Sequence, residues 1–400
     1  MFCKSDCLHY LCIRQAALGK AKKRFCHTRS HLILYITTPT RIQTTGMKVY
    51  FYHTQDIAHI RRRMEAGEFP AHFLYGAAGL GANGIGVVWH RSRPGLPRWR
   101  MMLRNARLIL TSRERFDAVY ATHYRGLELI VLLRALRLFR RPVVIWHHQP
   151  VVTSKGFVRE RFGRLFYRGF DRMIFFSQKL MDDSLHSPKA RPSRMVLGHW
   201  GADLGFYDRV MAEGGDRRTG FISTGKELRD MPTLVRAFNL TGARLDIYTG
   251  RNTGGVNYEE VFAANPPKEN IRVHYVNGLC PYELSLKVNR AACVVICCKE
   301  TRYTVGLTTV VEALALGLPV ICSRNPQIPV DFEAEGCGIT VPYYDTDGWE
   351  RAVRYITDHP DEAREMGRRG RRLAERMFND SRCAREVAEV LRGAVKENRR

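Results

Sequence analysis

The chain has 400 residues, 45% hydrophobic and 26% charged, which is a normal globular balance with enough length for two domains. No apolar run reaches the roughly 18 residues of a membrane span, and the eleven cysteines lack metal-ligand spacing, so a spanning helix and a zinc module are excluded. The net charge of +25 is uneven: residues 1–46 carry +7, residues 47–200 carry +17 (27 basic against 10 acidic), and residues 201–400 carry +1. Such asymmetry points to an anionic partner on the first half: a membrane surface, a nucleic acid or an anionic acceptor.

Residues 1–46 are rich in Lys, Arg, Cys and Thr and lack periodicity. They have no apolar signal-peptide core, so they read as a disordered or non-native extension with the true start at Met47. From there strand and helix patterns alternate, the mark of α/β domains with parallel sheets. The first half predicts a strand at 48–52, a helix at 71–82 and a strand at 85–89. A basic amphipathic helix at 97–110 and a strand at 118–122 follow. Then come a helix at 126–139, a strand at 142–146, a helix at 159–168 and a strand at 173–176, and residues 194–198 lead into the crossing segment. The second half predicts strands at 220–224, 245–249, 271–275, 293–297 and 320–322, with helices at 231–240, 282–290, 308–316, 347–357, 360–375 and 382–396. Gly76 to Gly86 is glycine-rich, but it leads into a strand rather than out of one, so it reads as a helix end capped at Gly84 and not as a nucleotide loop. Scattered cysteines, with Cys297 and Cys298 adjacent in an apolar run, predict buried free thiols and a cytoplasmic location. The domains expected are 47–200 and 201–381, with the helix 382–400 packing back on the first domain.

Ligands of open parallel sheets bind at the carboxyl ends of the strands, so the site belongs in the cleft between two such domains. The most informative stretch is Val305 to Asp331. Gly306 and Leu307 end a loop; Thr308 and Thr309 are good N-cap residues; Gly317 fits a left-handed stop and Pro319 blocks continuation. The N-terminus of such a helix attracts a phosphate through unpaired N–H groups and a partial positive charge. Glu312 reads locally as the second half of a Thr309-x-x-Glu312 capping box. Elsewhere, Gly225 to Asp230 places Lys226 and Arg229 on a strand-to-helix loop, where two cations can clamp a diphosphate. His147-His148-Gln149-Pro150 follows one strand and His123 another, each positioned to bond a sugar hydroxyl or share a proton.

The wider pattern, Gly306-x-Thr308-Thr309-x-x-Glu312-Ala-x-Ala-x-Gly317-x-Pro319-Val, resembles the donor-binding helix of family 4 glycosyltransferases, which have the GT-B fold. The resemblance spans about residues 47–395 and includes Gly201-Ala-Asp203, similar to the family's Gly-x-Asp. It implies two Rossmann-like domains facing across a cleft, and a retaining transferase that uses a nucleotide-sugar without a metal or other cofactor. It implies that Glu312 holds the ribose, that Lys226, Arg229 and the N–H groups of Gly306 to Thr309 bind the donor diphosphate, and that His148 contacts the transferred sugar, with His147 the fallback and His123 a second contact. The family's first Glu, eight residues before the helix Glu, falls here on Thr304; Glu300 is the nearest substitute. Lys226 and Arg229 stand closer together than the family's Arg and Lys. The acceptor implied is a glycan or lipid-linked glycan of the cell envelope.

The basic helices, with Arg98, Arg100, Arg104 and Arg107, then Arg134, Arg137, Arg140 and Arg141, predict peripheral docking on the inner face of the plasma membrane; nucleic acid ranks second because no nucleic-acid fold accompanies the charge. Alternatives stay open: a GT-B epimerase or phosphorylase sharing the donor pocket, a silent GT-B binding protein, and a basic membrane or polyanion adaptor.

Overall fold

A computed structural model describes residues 46–400 apart from 94, 215–217, 226 and 277–279. The first domain runs β1 (Lys48–Tyr52), α1 (Ile57–Glu65), β2 (Gly86–Trp89), α2 (Arg98–Leu110), β3 (Ala118–Ala121), α3 (Glu128–Ala135), β4 (Val143–His147), α4 (Phe157–Tyr167), β5 (Arg172–Phe175), α5 (Gln178–Leu185) and β6 (Met195–Leu197). Its six strands pair in parallel in the order β2-β1-β3-β4-β5-β6. The central strands β3 and β4 are buried along their whole length, as continuous apolar runs in a parallel sheet should be.

The second domain runs α6 (Leu204–Gly214), β7 (Phe221–Thr224), α7 (Met231–Thr241), β8 (Leu245–Thr249), a short ribbon of β9 (Asn252–Thr253) and β10 (Val256–Asn257), α8 (Tyr258–Ala264), β11 (Ile271–Tyr275), α9 (Pro281–Asn289), β12 (Cys293–Ile296), α10 (Leu307–Ala315), β13 (Val320–Ser323), β14 (Gly338–Val341), α11 (Thr346–Asp358), α12 (Pro360–Arg376) and α13 (Asp380–Arg399). Its sheet, also parallel, has the order β11-β8-β7-β12-β13-β14. Two six-stranded parallel sheets covered by helices make the α/β two-domain GT-B fold.

Local chemistry sets most boundaries. Asp56 caps α1 by accepting from the N–H groups of Ala58 and His59, Asp230 caps α7, and Asn379 caps α13. The helix expected over 71–82 is instead three short 3-10 turns. Tyr75 and Gly76 both take positive φ, which interrupts the α ladder, and the turn ends at left-handed Gly84 as the sequence suggested. The helix expected over 126–139 stops at Ala135 because Arg137 sits at φ 64°. Helices α1, α5, α6 and α8 were not expected from the pattern.

The chain crosses between the domains twice, and the crossings touch. Ala202 bonds back to Phe378 through its N–H (2.9 Å), and its carbonyl accepts from the Asp380 N–H (2.8 Å). Gly201 lies so close that a Cβ there would stand 1.9 Å from the Phe378 carbonyl carbon. After this second crossing α13 lies on the first domain, against β3, β4 and the turns at 77–83. Gly76 and Gly79 leave room for Ala384. Charged ends finish the seam: Arg134 donates to Asn398, Arg172 pairs with Glu397, and Arg399 bonds Asp117.

Candidate functional site

On the second domain the site grows from the loops after β7 and β12. Gly306 caps α10 in a left-handed conformation (φ 94°), and no side chain caps the helix. This corrects the sequence reading, which placed the cap at Thr308 or Thr309. A residue with a Cβ would meet Ile296 at 2.7 Å, so the cap is a glycine for reasons of both conformation and space. Leu307 leans its N–H toward the Thr304 carbonyl at 3.3 Å, and Val310 bonds Gly306. Thr308 and Thr309 are then the first-turn residues whose N–H groups have no carbonyl within the helix to reach. Thr308 is exposed, and Thr309 is buried with its hydroxyl 3.5 Å from that of Thr224.

Arg229 lies beneath this loop. Its guanidinium donates to the carbonyls of Thr224 (3.3 and 3.1 Å) and Glu227 (3.1 Å) and to Cys298 Sγ (3.3 Å). One of its terminal nitrogens would stand 4.0 Å from a Cβ on Gly306. The cation is therefore fixed beside the uncapped helix end, and the two positive features reinforce each other. Lys226, its expected companion, lies outside the described residues. Burial pushes the Cys298 thiol up against the opposing pull of Arg229, so it is a packing group and not a nucleophile.

Glu312 is buried on the second turn of α10. It does not close a capping box with Thr309. Its Oε1 accepts instead from the Ser285 hydroxyl on α9 at 2.5 Å. Burial raises its pKa to about 7, with the Ser285 bond opposing the rise. Glu300 lies on the loop after β12 with its side chain exposed, and its N–H donates to the Tyr344 hydroxyl at 3.2 Å.

On the first domain the strand ends gather histidines. His53 follows β1, His123 follows β3 and His148 follows β4. His123 and His148 have ring centroids 5.7 Å apart, and Tyr75 packs against both His53 and His148. Burial drives these imidazoles far down, His53 to about 3 and His148 to about 4, with His148 adding repulsion to the other two. All are neutral near pH 7, and their bonds then fix the tautomers. His148 Nε2 faces the Thr122 carbonyl at 2.8 Å and must donate, which leaves Nδ1 as an acceptor. His53 and His123 each accept at Nδ1, from the N–H groups of Gln55 and Arg125 (both 2.8 Å), which leaves Nε2–H as a donor. Two donors and an acceptor on one cleft wall suit hydroxyl groups. His147 is different: its Nδ1 donates to the Gln149 carbonyl (2.6 Å) and its Nε2 meets the Tyr167 hydroxyl (3.0 Å). Both ring nitrogens are used internally, which corrects its place as a sugar contact.

Sequence reasoning missed His53, Ser285 and Gln327. A polar residue just past a buried strand was the available signal for His53. Gln327, after β13, reaches across to the first domain and donates to Asp183 at 2.8 Å. Among the described residues no cluster of His, Cys, Asp and Glu could hold a metal ion.

With this geometry in place, comparison with known proteins defines the class. Residues 226–392 match the family model described as glycosyl transferase-like. The MMP α-(1→4)-mannosyltransferase of Mycolicibacterium hassiacum is 23% identical over 319 residues, which cover 73% of this chain and 74% of that protein. Anabaena HepE, in a crystal structure with UDP, superposes with a TM-score of 0.62 at 13% identity, covering 87% of this chain and all of HepE. WaaG, a glycosyltransferase involved in lipopolysaccharide biosynthesis, gives 0.57 at 13% identity, again over 87% of this chain and all of the other. The two structural likenesses speak to the fold. Fold, site and family match together define a glycosyltransferase of GT-B architecture.

Proposed function

We propose that this is a retaining glycosyltransferase of family 4 type that moves a hexosyl group from a nucleoside diphosphate sugar to a hydroxyl of a glycan or lipid-linked acceptor in cell-envelope synthesis. The observation that carries the reading is the glycine-capped, side-chain-free N-terminus of α10 with the Arg229 guanidinium fixed beside it. In this reading the N–H groups of Thr308 and Thr309 take the donor phosphates, with Arg229 and Lys226 supplying positive charge. Glu312 accepts from the ribose hydroxyls. His148 offers Nδ1, and His123 and His53 offer Nε2–H, to hydroxyls of the transferred sugar or acceptor. The bond from the anomeric carbon to the diphosphate breaks as the acceptor oxygen attacks from the same face, and the acceptor proton passes to the departing phosphate oxygen. Glu300 has the exposure needed to reach the sugar. No metal enters the scheme. The activity of the mannosyltransferase relative and the UDP bound by HepE favour a hexosyl donor on a nucleoside diphosphate. The excess positive charge of residues 47–200 fits an anionic inner-leaflet surface beside the acceptor.

A thermal-shift panel of UDP, GDP and ADP with their sugars tests this. Stabilisation by one nucleotide family, absent in Glu312→Ala, is the expected result. The anomeric configuration of the product, read from its proton NMR coupling, tests retention; an inverted product would overturn that part.

A further inference from the structure

Helix α4 is unusual in having no buried residue along its eleven positions. Phe157 and Val158 are 79% and 78% exposed, Phe162 is 54% exposed, and Val152 just before the helix is 59% exposed. On its inner side α4 packs Phe166 and Tyr167 against the core, and an ionic contact adds to this hold. Lys189, 4% exposed, pairs with Glu160 at 3.1 Å and donates to the Val152 carbonyl (2.7 Å) and to Ser154 Oγ (2.6 Å). The Ser154 N–H completes the knot on Glu160 at 2.7 Å. Gly163 lies over the same lysine, where a Cβ would stand 2.6 Å from its Cε. This ionic knot helps fix the helix and leaves Phe157, Val158 and Phe162 facing outward.

The charge on this element is one-sided. Glu160 is the only acid between residues 152 and 168, and it is turned inward, while Lys155, Arg159 and Arg161 are exposed among the apolar residues. The same combination recurs on α2, where Trp99 is 57% exposed with the Arg100 guanidinium 5.0 Å from its ring, and Leu103 is 50% exposed. Helices α2, α3 and α4 pack side by side. A face of aromatic residues interleaved with unpaired-sign charge suits a phosphate-rich apolar boundary, where rings enter the acyl region and guanidiniums meet lipid phosphates. Two copies of so cationic a face would repel.

We infer that α4 and the loop before it seat in an anionic lipid leaflet, with α2 as a second contact, so that a lipid-borne acceptor enters the cleft at His148. The acceptor part rests on the transferase reading; the lipid contact does not. His148 begins the loop that leads into α4, so the inserted segment and the acceptor wall are one continuous stretch of chain.

Co-sedimentation of the full-length protein with phosphatidylcholine vesicles, with and without about 30% phosphatidylglycerol, tests the contact. The expected result is binding to the anionic vesicles alone, weakened about tenfold or more by Phe157→Ser with Phe162→Ser and by raised salt. Unchanged binding by that double variant, or no binding to either vesicle, overturns the proposal. So does a dimer in vesicle-free solution that the double variant disperses, since the face would then belong to a second copy. An unchanged melting temperature shows that the variant is folded. Nucleotide-dependent stabilisation on the same variant reads the donor site separately: its loss from the wild type overturns the transferase reading, whereas the vesicle result alone decides the docking face.

Discussion

Glu312 shows how one residue can look like a cap and do something else. The Thr309-x-x-Glu312 spacing fits a capping box, yet the carboxyl turns to Ser285 on the neighbouring helix. Ser285 therefore sets the direction of the carboxyl proposed to meet the ribose. Ser285→Ala is expected to raise KM for the donor several-fold with little change in kcat, a split that a merely structural role would not give. The same burial makes stability depend on pH. Glu312 has a folded pKa of about 7, above the unfolded carboxylate value near 4.5, so its folded form holds the proton longer and it stabilises less as pH rises through that window. The histidines act in the opposite direction. His53 at about 3, and His72, His90, His147 and His148 at about 4, all lie below the unfolded value near 6.5. The unfolded chain then takes up protons that the folded chain refuses, and stability is lost as pH falls from about 6.5 toward 4. With His123, which burial also holds well below its ordinary value, six imidazoles outnumber the two raised carboxyls, Glu312 and Asp380, so denaturant melts should show falling stability below pH 6.5. Glu312→Gln should steepen that fall, because the opposing contribution of the carboxyl is gone.

At the scale of elements, similar sequence patterns part company once they are packed. Arg134 belongs to the basic run expected to meet a membrane, but its guanidinium holds both Asp171 oxygens (2.9 and 2.6 Å) and the Arg140 carbonyl (2.9 Å). It ties α3 to the start of β5. Arg134→Ala should cost about 1–3 kcal/mol in urea unfolding, because it strips a half-buried carboxylate of its partner, and should leave vesicle binding unchanged. Arg141 likewise stacks on Phe116, 4.1 Å from the ring centroid. Helix α4 presents the stronger outward face. Periodicity cannot separate these cases. It reports that apolar and basic residues alternate around a helix, but not which side has neighbours.

At the scale of the whole molecule the two domains are joined by a seam where backbone meets backbone. Gly201→Ala would press a methyl group onto the Phe378 carbonyl carbon, 1.9 Å away. The expected cost is at least about 2 kcal/mol in stability, with altered donor kinetics if the crossings also set the domain angle. Deleting α13 should unfold the first domain before the second, because β3, β4 and the 77–83 turns lose their cover. Limited proteolysis with peptide mapping would show which half is cut first.

The sequence by itself determined the alternation of strands and helices and the two parallel sheets, because these depend on local spacing. Apolar runs make buried strands, and glycine and proline end helices. Strands 48–52, 245–249 and 271–275 were legible to the residue for that reason. Tertiary structure alone decided which partners the polar groups took. Glu312 chose Ser285, 27 residues away, and Arg229 met Cys298 across 69 residues. His147 and His148, adjacent in sequence, separated into a packed ring and a cleft-facing one because successive residues at a strand end point to opposite sides of the sheet. Such choices depend on which helix packs over which strand, and that information is spread over the whole chain.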